Sequence, residues 1–259
     1  MFLSDNIPIV HECPSEWKSA TLYFIHDLHF GSELFDAKKW QAFKQQIMED
    51  DHALVFWIGD LMENAIPDSK SDVFTQSVPP VAQKEFVTRQ LTDLADKTVA
   101  VVPGNHEHNR TTAKCGLYPL YDCCLIAGIS EKYRDIYAIC DIGIGQTKKN
   151  HNLKYRYVVQ IQHRAKDIKS CNSADFTDGI DIFAYGHDHD PKDHPRKKIV
   201  YDAKRKSTYQ RNVEVIDCGS FCTYGGYGAR GAYRPQSDKL YRLKIGGDAR
   251  YIETTGFYV

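Results

Sequence analysis

Five separated clusters hold the residues of this chain that can do chemistry: Asp27-Leu28-His29, Gly59-Asp60, Gly104-Asn105-His106-Glu107, His163 and Gly186-His187-Asp188-His189. Together they offer enough carboxylate, amide and imidazole donors for two adjacent divalent cations. Asp27 and His29 are two residues apart, so an extended backbone turns both side chains the same way. His187 and His189 repeat that spacing, with Asp188 on the other side. Asp60 is the expected bridge, since one carboxylate between two cations binds both through its two oxygens and offsets the repulsion of ions held ~3.5 to 4 Å apart. Asn105 contributes a neutral amide oxygen, which limits the negative charge of the cluster and lets an anionic phosphate approach. Oxygen and imidazole donors without thiolate suit Mn²⁺ first, with Fe, Zn²⁺ or Ni²⁺ as alternatives. Two such ions polarise phosphoryl oxygens and bring the pKa of a bound water down to ~7, which is the chemistry of phosphoester hydrolysis.

Four of the five clusters follow a short apolar run, the expected carboxyl end of a strand, and open sheets bind ligands at those ends. Residues 22–25 form a strand that ends at His26-Asp27. A helix over 36–48 places Trp40, Phe43 and Ile47 at spacings of three and four, with Asp36 as N-cap. A strand over 53–58 leads into Gly59-Asp60, a helix begun by Pro79 or Pro80 runs to Leu94, and a strand over 98–102 stops at Pro103-Gly104. This alternation implies right-handed crossovers and parallel pairing. The second half is β-rich: 155–161 ends near His163, 180–185 precedes Gly186, 213–216 precedes Asp217, and 241–245 with 251–255 form a closing antiparallel pair turned at Gly246-Gly247. A second sheet packed on the first is expected. Glycine before a ligand cluster lets the chain turn sharply and brings the backbone close to the ions; each glycine taken singly also fits a plain strand-end turn.

Lys+Arg 33 against Asp+Glu 34 leaves a net charge of −1, so any attraction to nucleic acid is local rather than global. The strongest asymmetry is the basic segment 192–211, read as a solvated loop or hairpin in preference to a substrate-binding patch. Residues 1–10 lack the features of a signal peptide, and no apolar run reaches the ~20 residues of a membrane span. A cytoplasmic protein with no membrane partner is expected. Eight cysteines, Cys13, Cys115, Cys123, Cys124, Cys140, Cys171, Cys218 and Cys222, form no CxxC pair and read as reduced thiols. A zinc site at Cys115, Cys123 and Cys124 fits no finger or ribbon spacing. No repeat or linker divides the chain, so residues 1–259 are expected to form a single domain.

In order and spacing, the clusters from Asp27-x-His29 to Gly186-His187-x-His189 resemble the signature of calcineurin-like metallophosphoesterases. That resemblance implies an α/β fold, a four-layer α/β/β/α sandwich of two mixed β-sheets flanked by helices. It implies that Asp27, His29, Asp60 and His189 hold one ion, and Asp60, Asn105, His163 and His187 the other. His106 then binds no metal but contacts the phosphate and assists the leaving oxygen, with Glu107 as the neighbouring acid that orients its ring. His26 stands where relatives often carry serine or threonine, and reads as a donor behind the ligands. The stretch from Gly219-Ser220-Phe221-Cys222 through the tyrosine- and glycine-rich 224–233 is similar to the tails of phage and prophage phosphoesterases. Tyr224, Tyr227, Tyr233 and Arg230 there either stack on bases and pair with phosphates or form a tyrosine-rich surface loop.

The expected function is dinuclear metal-dependent phosphoester hydrolysis, with a phosphodiester of a nucleic acid or nucleotide as first choice because the basic segment follows the last ligands directly. A phosphomonoesterase, including a protein phosphatase, is the alternative. A non-catalytic metal-stabilised binding protein is the non-enzymatic one.

Overall fold

Among the described residues, apolar runs and alternation in the sequence become twelve strands and three principal helices: β1 (Ile9–Glu12), β2 (Ser19–Ile25), α1 (Ala37–Glu49), β3 (Ala53–Ile58), α2 (Pro80–Asp93), β4 (Thr98–Val102), α3 (Pro119–Ile126), β5 (Tyr137–Ile144), β6 (Tyr155–Arg164), β7 (Ile182–Gly186), β8 (Lys192–Asp193), β9 (Arg196–Asp202), β10 (Ser207–Asp217), β11 (Leu240–Gly246) and β12 (Ile252–Phe257). The computed structural model describes residues 5–69, 73–164, 177–232 and 234–259. Cys171 and Tyr233 lie outside them.

One sheet has the order β12-β11-β2-β3-β4, and the other β1-β5-β6-β7-β10-β8 with β9 paired to β10. In the first, β2, β3 and β4 are parallel, as right-handed crossovers through α1 and α2 require. The closing pair β11–β12 extends this first sheet by pairing β11 antiparallel to β2, although it arrives after the whole second sheet. Both sheets are mixed, because β5–β6 is antiparallel while β6–β7 and β7–β10 are parallel. Two strands, β1 and β5, were not anticipated; they pair in parallel at the far edge of the second sheet.

The sheets pack face to face through Leu22, Phe24, Phe56, Ile58 and Val102 from one side and Ile142, Tyr157, Val159, Ile161 and Ile182 from the other. On the outer face of the first sheet, Tyr23, Ile25, Val55 and Trp57 receive Trp40, Phe43 and Ile47 of α1, Val87 and Leu91 of α2, and Leu120, Cys123 and Cys124 of α3. All six residues of β3 are therefore buried, a continuous apolar run rather than an alternating one. Asp36 caps α1 by accepting from the amides of Lys38 and Lys39, and Pro80 opens α2. The outer face of the second sheet carries Ile180, Phe183, Tyr185, Val213 and Val215. Among the described residues no helix is long and apolar enough to cross a membrane, and seven cysteines are free thiols.

Candidate metal centre

Parallel pairing carries the clusters to one edge. Asp27, Asp60 and Asn105 leave the carboxyl ends of β2, β3 and β4, while His163 lies at the end of β6 and His187 follows β7. The loops are stitched side by side: the Asp27 amide donates to Gly59 O at 3.1 Å and the His29 amide to Asp60 O at 2.9 Å. Asp27 and His29 converge, but not along an extended backbone. Asp27, His29, Asp60, His187 and His189 all adopt left-handed φ of 51°, 46°, 49°, 93° and 56°. Strained φ of this kind persists only where surrounding structure enforces it, and it clusters at functional sites. Gly59, at φ +74°, enforces part of it: a Cβ there would stand 2.0 Å from Gly104 N. The two glycine loops touch, and no side chain fits between them.

The carboxylates are aimed from behind. Asp27 Oδ2 accepts from the His26 ring at 2.6 Å and from the His187 amide at 2.8 Å, which leaves Oδ1 facing His29 Nε2 at 3.4 Å and His189 Nε2 at 3.3 Å. His26 is itself within 3.7 Å of Asp217 Oδ1. Asp60 Oδ1 accepts from the His106 amide at 2.7 Å, so only Oδ2 faces inward, 3.1 Å from His163 Nε2 and 4.0 Å from His29 Nε2. Asp60 therefore turns one oxygen, Oδ2, toward the centre and would hold a cation there through it. His163 Nδ1 bonds Ile58 O at 2.6 Å, which turns Nε2 inward.

Asp27 Oδ1 and Asn105 Oδ1 are buried oxygens that accept no hydrogen bond. Such orphans are costly and call for an ion or solvent. Asp60, His163 and His187 present donor atoms within 4.8 Å of one another, as do His29, His189 and Cys222. The donor set therefore fits divalent cations. Burial alone would lower the His163 pKa, yet the Asp60 and Asp27 carboxylates raise it to about 9. In the metal-free protein an imidazolium thus supplies positive charge that a cation would otherwise bring.

Glu107 does not orient His106: its buried carboxylate accepts from the amides of Asp60 and Gly104 at 2.9 Å each, Leu61 at 2.8 Å and Met62 at 3.1 Å. One short helical turn after Gly104 swings it under the β3 loop, where four otherwise unpaired N–H groups converge. The ring of His106 is held instead by Glu63 O on Nδ1 at 2.8 Å and by Arg110 Nη2 on Nε2 at 2.8 Å, and Arg110 also donates to Glu63 Oε1 at 3.1 Å. Burial lowers the His106 pKa to about 4, so at neutral pH the ring is neutral and accepts from the guanidinium. The donor set also includes a thiol that sequence reading left out: Cys222 joins His29 and His189, and burial pushes it up to about 12, leaving a neutral S–H.

The centre opens into a cleft of about 1420 Å³ whose lining includes Arg110, Lys114, Tyr224, Arg230 and Arg234. Tyr224 and Arg230, two of the four residues singled out in the tyrosine-rich stretch, thus line the cleft; the Tyr227 side chain lies outside the described residues. Among the described residues, nothing from 192–211 lines this cleft. The basic segment forms the β9–β10 hairpin, the reading preferred from the sequence, and not the border of the site that was its alternative.

No protein-family profile and no curated protein matches the chain. Among solved structures it is similar to Vps29 of Chaetomium thermophilum, at 10% identity over 92% of this chain and 97% of that one with a TM-score of 0.38. It is also similar to nuclease MPE of Pseudomonas putida, at 14% identity over 90% and 87% with a TM-score of 0.36. At these values neither likeness carries an argument about activity.

Proposed function

We propose that this chain is a calcineurin-like metallophosphoesterase that hydrolyses phosphodiesters of a nucleic acid or nucleotide, with two divalent cations, Mn²⁺ by first choice. The observation that carries this reading is the pair of donor clusters, Asp60 with His163 and His187 and His29 with His189 and Cys222, each with its donor atoms within 4.8 Å of one another, beside the buried oxygens Asp27 Oδ1 and Asn105 Oδ1 that accept no hydrogen bond. Asp27, His29, Asp60 and His189 would hold one cation, and Asp60, Asn105, His163 and His187 the other. When bound, such ions polarise a phosphoryl oxygen and acidify a coordinated water.

The remaining work falls to side chains of the chain itself. Arg110, braced by Glu63, presents a guanidinium to the cleft, suited to the non-bridging oxygens of a phosphate. His106 shares that guanidinium through Nε2 and is fixed as the Nδ1–H tautomer by Glu63 O. Its role at the leaving oxygen requires that it first gain a proton. The cleft exceeds the ~300 to 1,000 Å³ of ordinary small-molecule sites, which favours an extended substrate over a small monoester.

Hydrolysis of bis-(p-nitrophenyl) phosphate with Mn²⁺, compared with p-nitrophenyl phosphate, tests the reading. A strong diester preference is expected, together with at least a hundredfold loss in Asp60→Asn at equal metal content. A monoester preference, or an Asp60→Asn variant as fast as the parent, overturns it.

A further inference from the structure

The β9–β10 hairpin concentrates charge in a chain that is nearly neutral overall. Between Arg196 and Arg211 seven cationic side chains accompany one carboxylate, Asp202, whereas the whole chain has a net charge of −1. Register places these groups. Lys197, Ile199 and Tyr201 lie opposite Asn212, Gln210 and Thr208, and directly opposed residues share a face. All six are exposed, Ile199 at 77% and Tyr201 at 64%. At the tip, Lys204, Arg205 and Lys206 are exposed around a turn in which Asp202 Oδ1 accepts the amides of Lys204 and Arg205.

Only residues 214–217 of β10 pair with β7, so residues 207–213 and β9 form a two-stranded ribbon beyond the main sheet. Its root is anchored, because Arg211 donates to Asp181 at 2.8 Å. Its tip is remote from the metal centre: β10 runs from Ser207 to Asp217, whose carboxylate lies behind His26, and ten residues at ~3.3 Å span roughly 33 Å.

We propose that this ribbon is a docking arm for duplex nucleic acid, separate from the cleft. The proposal rests on the phosphodiesterase reading for the substrate class. A two-stranded ribbon fits the ~12 Å major groove, and the exposed cations complement phosphate. The cross-strand partners of Ile199 and Tyr201 are Gln210 and Thr208, so the face pairs apolar surface with hydrogen-bonding groups, as base edges and sugars require and acyl chains do not. The span from tip to metal centre matches one duplex turn, ~34 Å, so one DNA molecule must be at least about ten base pairs long to engage both.

The test uses the full chain treated with EDTA, so that binding is read without turnover. Anisotropy of a labelled 24-base-pair duplex is measured from 50 to 200 mM KCl for the parent and for K197E/K204E/R205E/K206E, with K197Q/K204Q/R205Q/K206Q as a second variant. Each variant is expected to bind at least tenfold more weakly at 50 mM, with a salt slope shallower by about 3 to 4, at 0.9 per phosphate contact. An eight-base-pair duplex should gain little from the arm. Hydrolysis of bis-(p-nitrophenyl) phosphate under Mn²⁺ should stay within twofold, since the altered residues do not line the cleft. Unchanged duplex affinity and slope in both variants overturns the proposal, as does tighter binding of phosphatidylserine vesicles than of duplex. A parent that binds duplex through the arm yet hydrolyses no diester instead overturns the catalytic reading and leaves the arm standing.

Discussion

Glu107→Gln separates two accounts of this acid, the loop brace seen in the structure and the ring-orienting partner implied by family resemblance. The carboxylate accepts two amides on each oxygen, Leu61 and Met62 on Oε1, and Asp60 and Gly104 on Oε2. A glutamine keeps one acceptor and turns an NH₂ toward the other pair of N–H donors, so two bonds are lost. Bonds to a charged acceptor contribute ~1.5 to 3 kcal/mol each, giving a loss of about 3 to 6 kcal/mol. Burial, and then the nearby Asp60 charge, raise the pKa of Glu107, so the ionised acid carries a cost that glutamine lacks, and the loss of about 3 to 6 kcal/mol is an upper bound. At ~2 to 4 °C per kcal/mol for domains of this size, Tm should drop by several degrees and by no more than about 24 °C, against a total stability of ~5 to 15 kcal/mol typical of a domain. Urea denaturation and calorimetry of EDTA-treated protein at pH 7.5 measure this directly. A variant as stable as the parent, with only its turnover reduced, would refute the brace and restore the orienting role.

Two further outcomes follow from the same geometry. His163 has a folded pKa of about 9 against ~6.5 when unfolded. Its contribution to the stability of metal-free protein is therefore fully present below ~6.5 and lost as pH rises to about 9. Mn²⁺ must displace that proton, so calorimetry at pH 7.5 in buffers of different ionisation enthalpy should register release of about one proton or more, and affinity should climb with pH up to about 9; binding without proton release contradicts this. Gly59→Ala adds a Cβ at φ +74° and 2.0 Å from Gly104 N. Left-handed strain alone costs ~1 to 2 kcal/mol, so a Tm at least ~4 °C lower, with weakened Mn²⁺ binding, is expected, and an unshifted melt would show that the loops do not touch.

The elements that position the site were legible where local signals agreed. β2, β3 and β4 are apolar runs ended by glycine or polar residues, α1 carries its cap at Asp36, and α2 starts at a proline. β1 was not legible because its four residues alternate half-buried and exposed at a sheet edge. The attachment of β11 to β2 was hidden by sequence distance, since hairpin signals identify a pair but not its neighbour. Within the site, the ligands announced themselves by clustering. Arg110 left a usable signal, four residues beyond His106 on a helical turn. Glu63, three residues past Asp60, left a fainter one. Cys222 left none, because its place beside His29 and His189 depends on how the chain returns after β10. Glu107 misled because sequence adjacency to His106 concealed a helical turn that points the two side chains apart.

The left-handed backbone at Asp27, His29, Asp60, His187 and His189 has a consequence for which amino acids can occupy those positions. Aspartate, asparagine and histidine are the non-glycine residues enriched several-fold at positive φ, and they are also good ligands for hard and borderline cations. Residue identity is thus chosen twice, once by donor chemistry and once by backbone tolerance. A glutamate could bring the same carboxylate as Asp27 or Asp60, yet it lacks that tolerance. The alphabet available at this edge of the sheets is therefore narrower than coordination chemistry alone would allow.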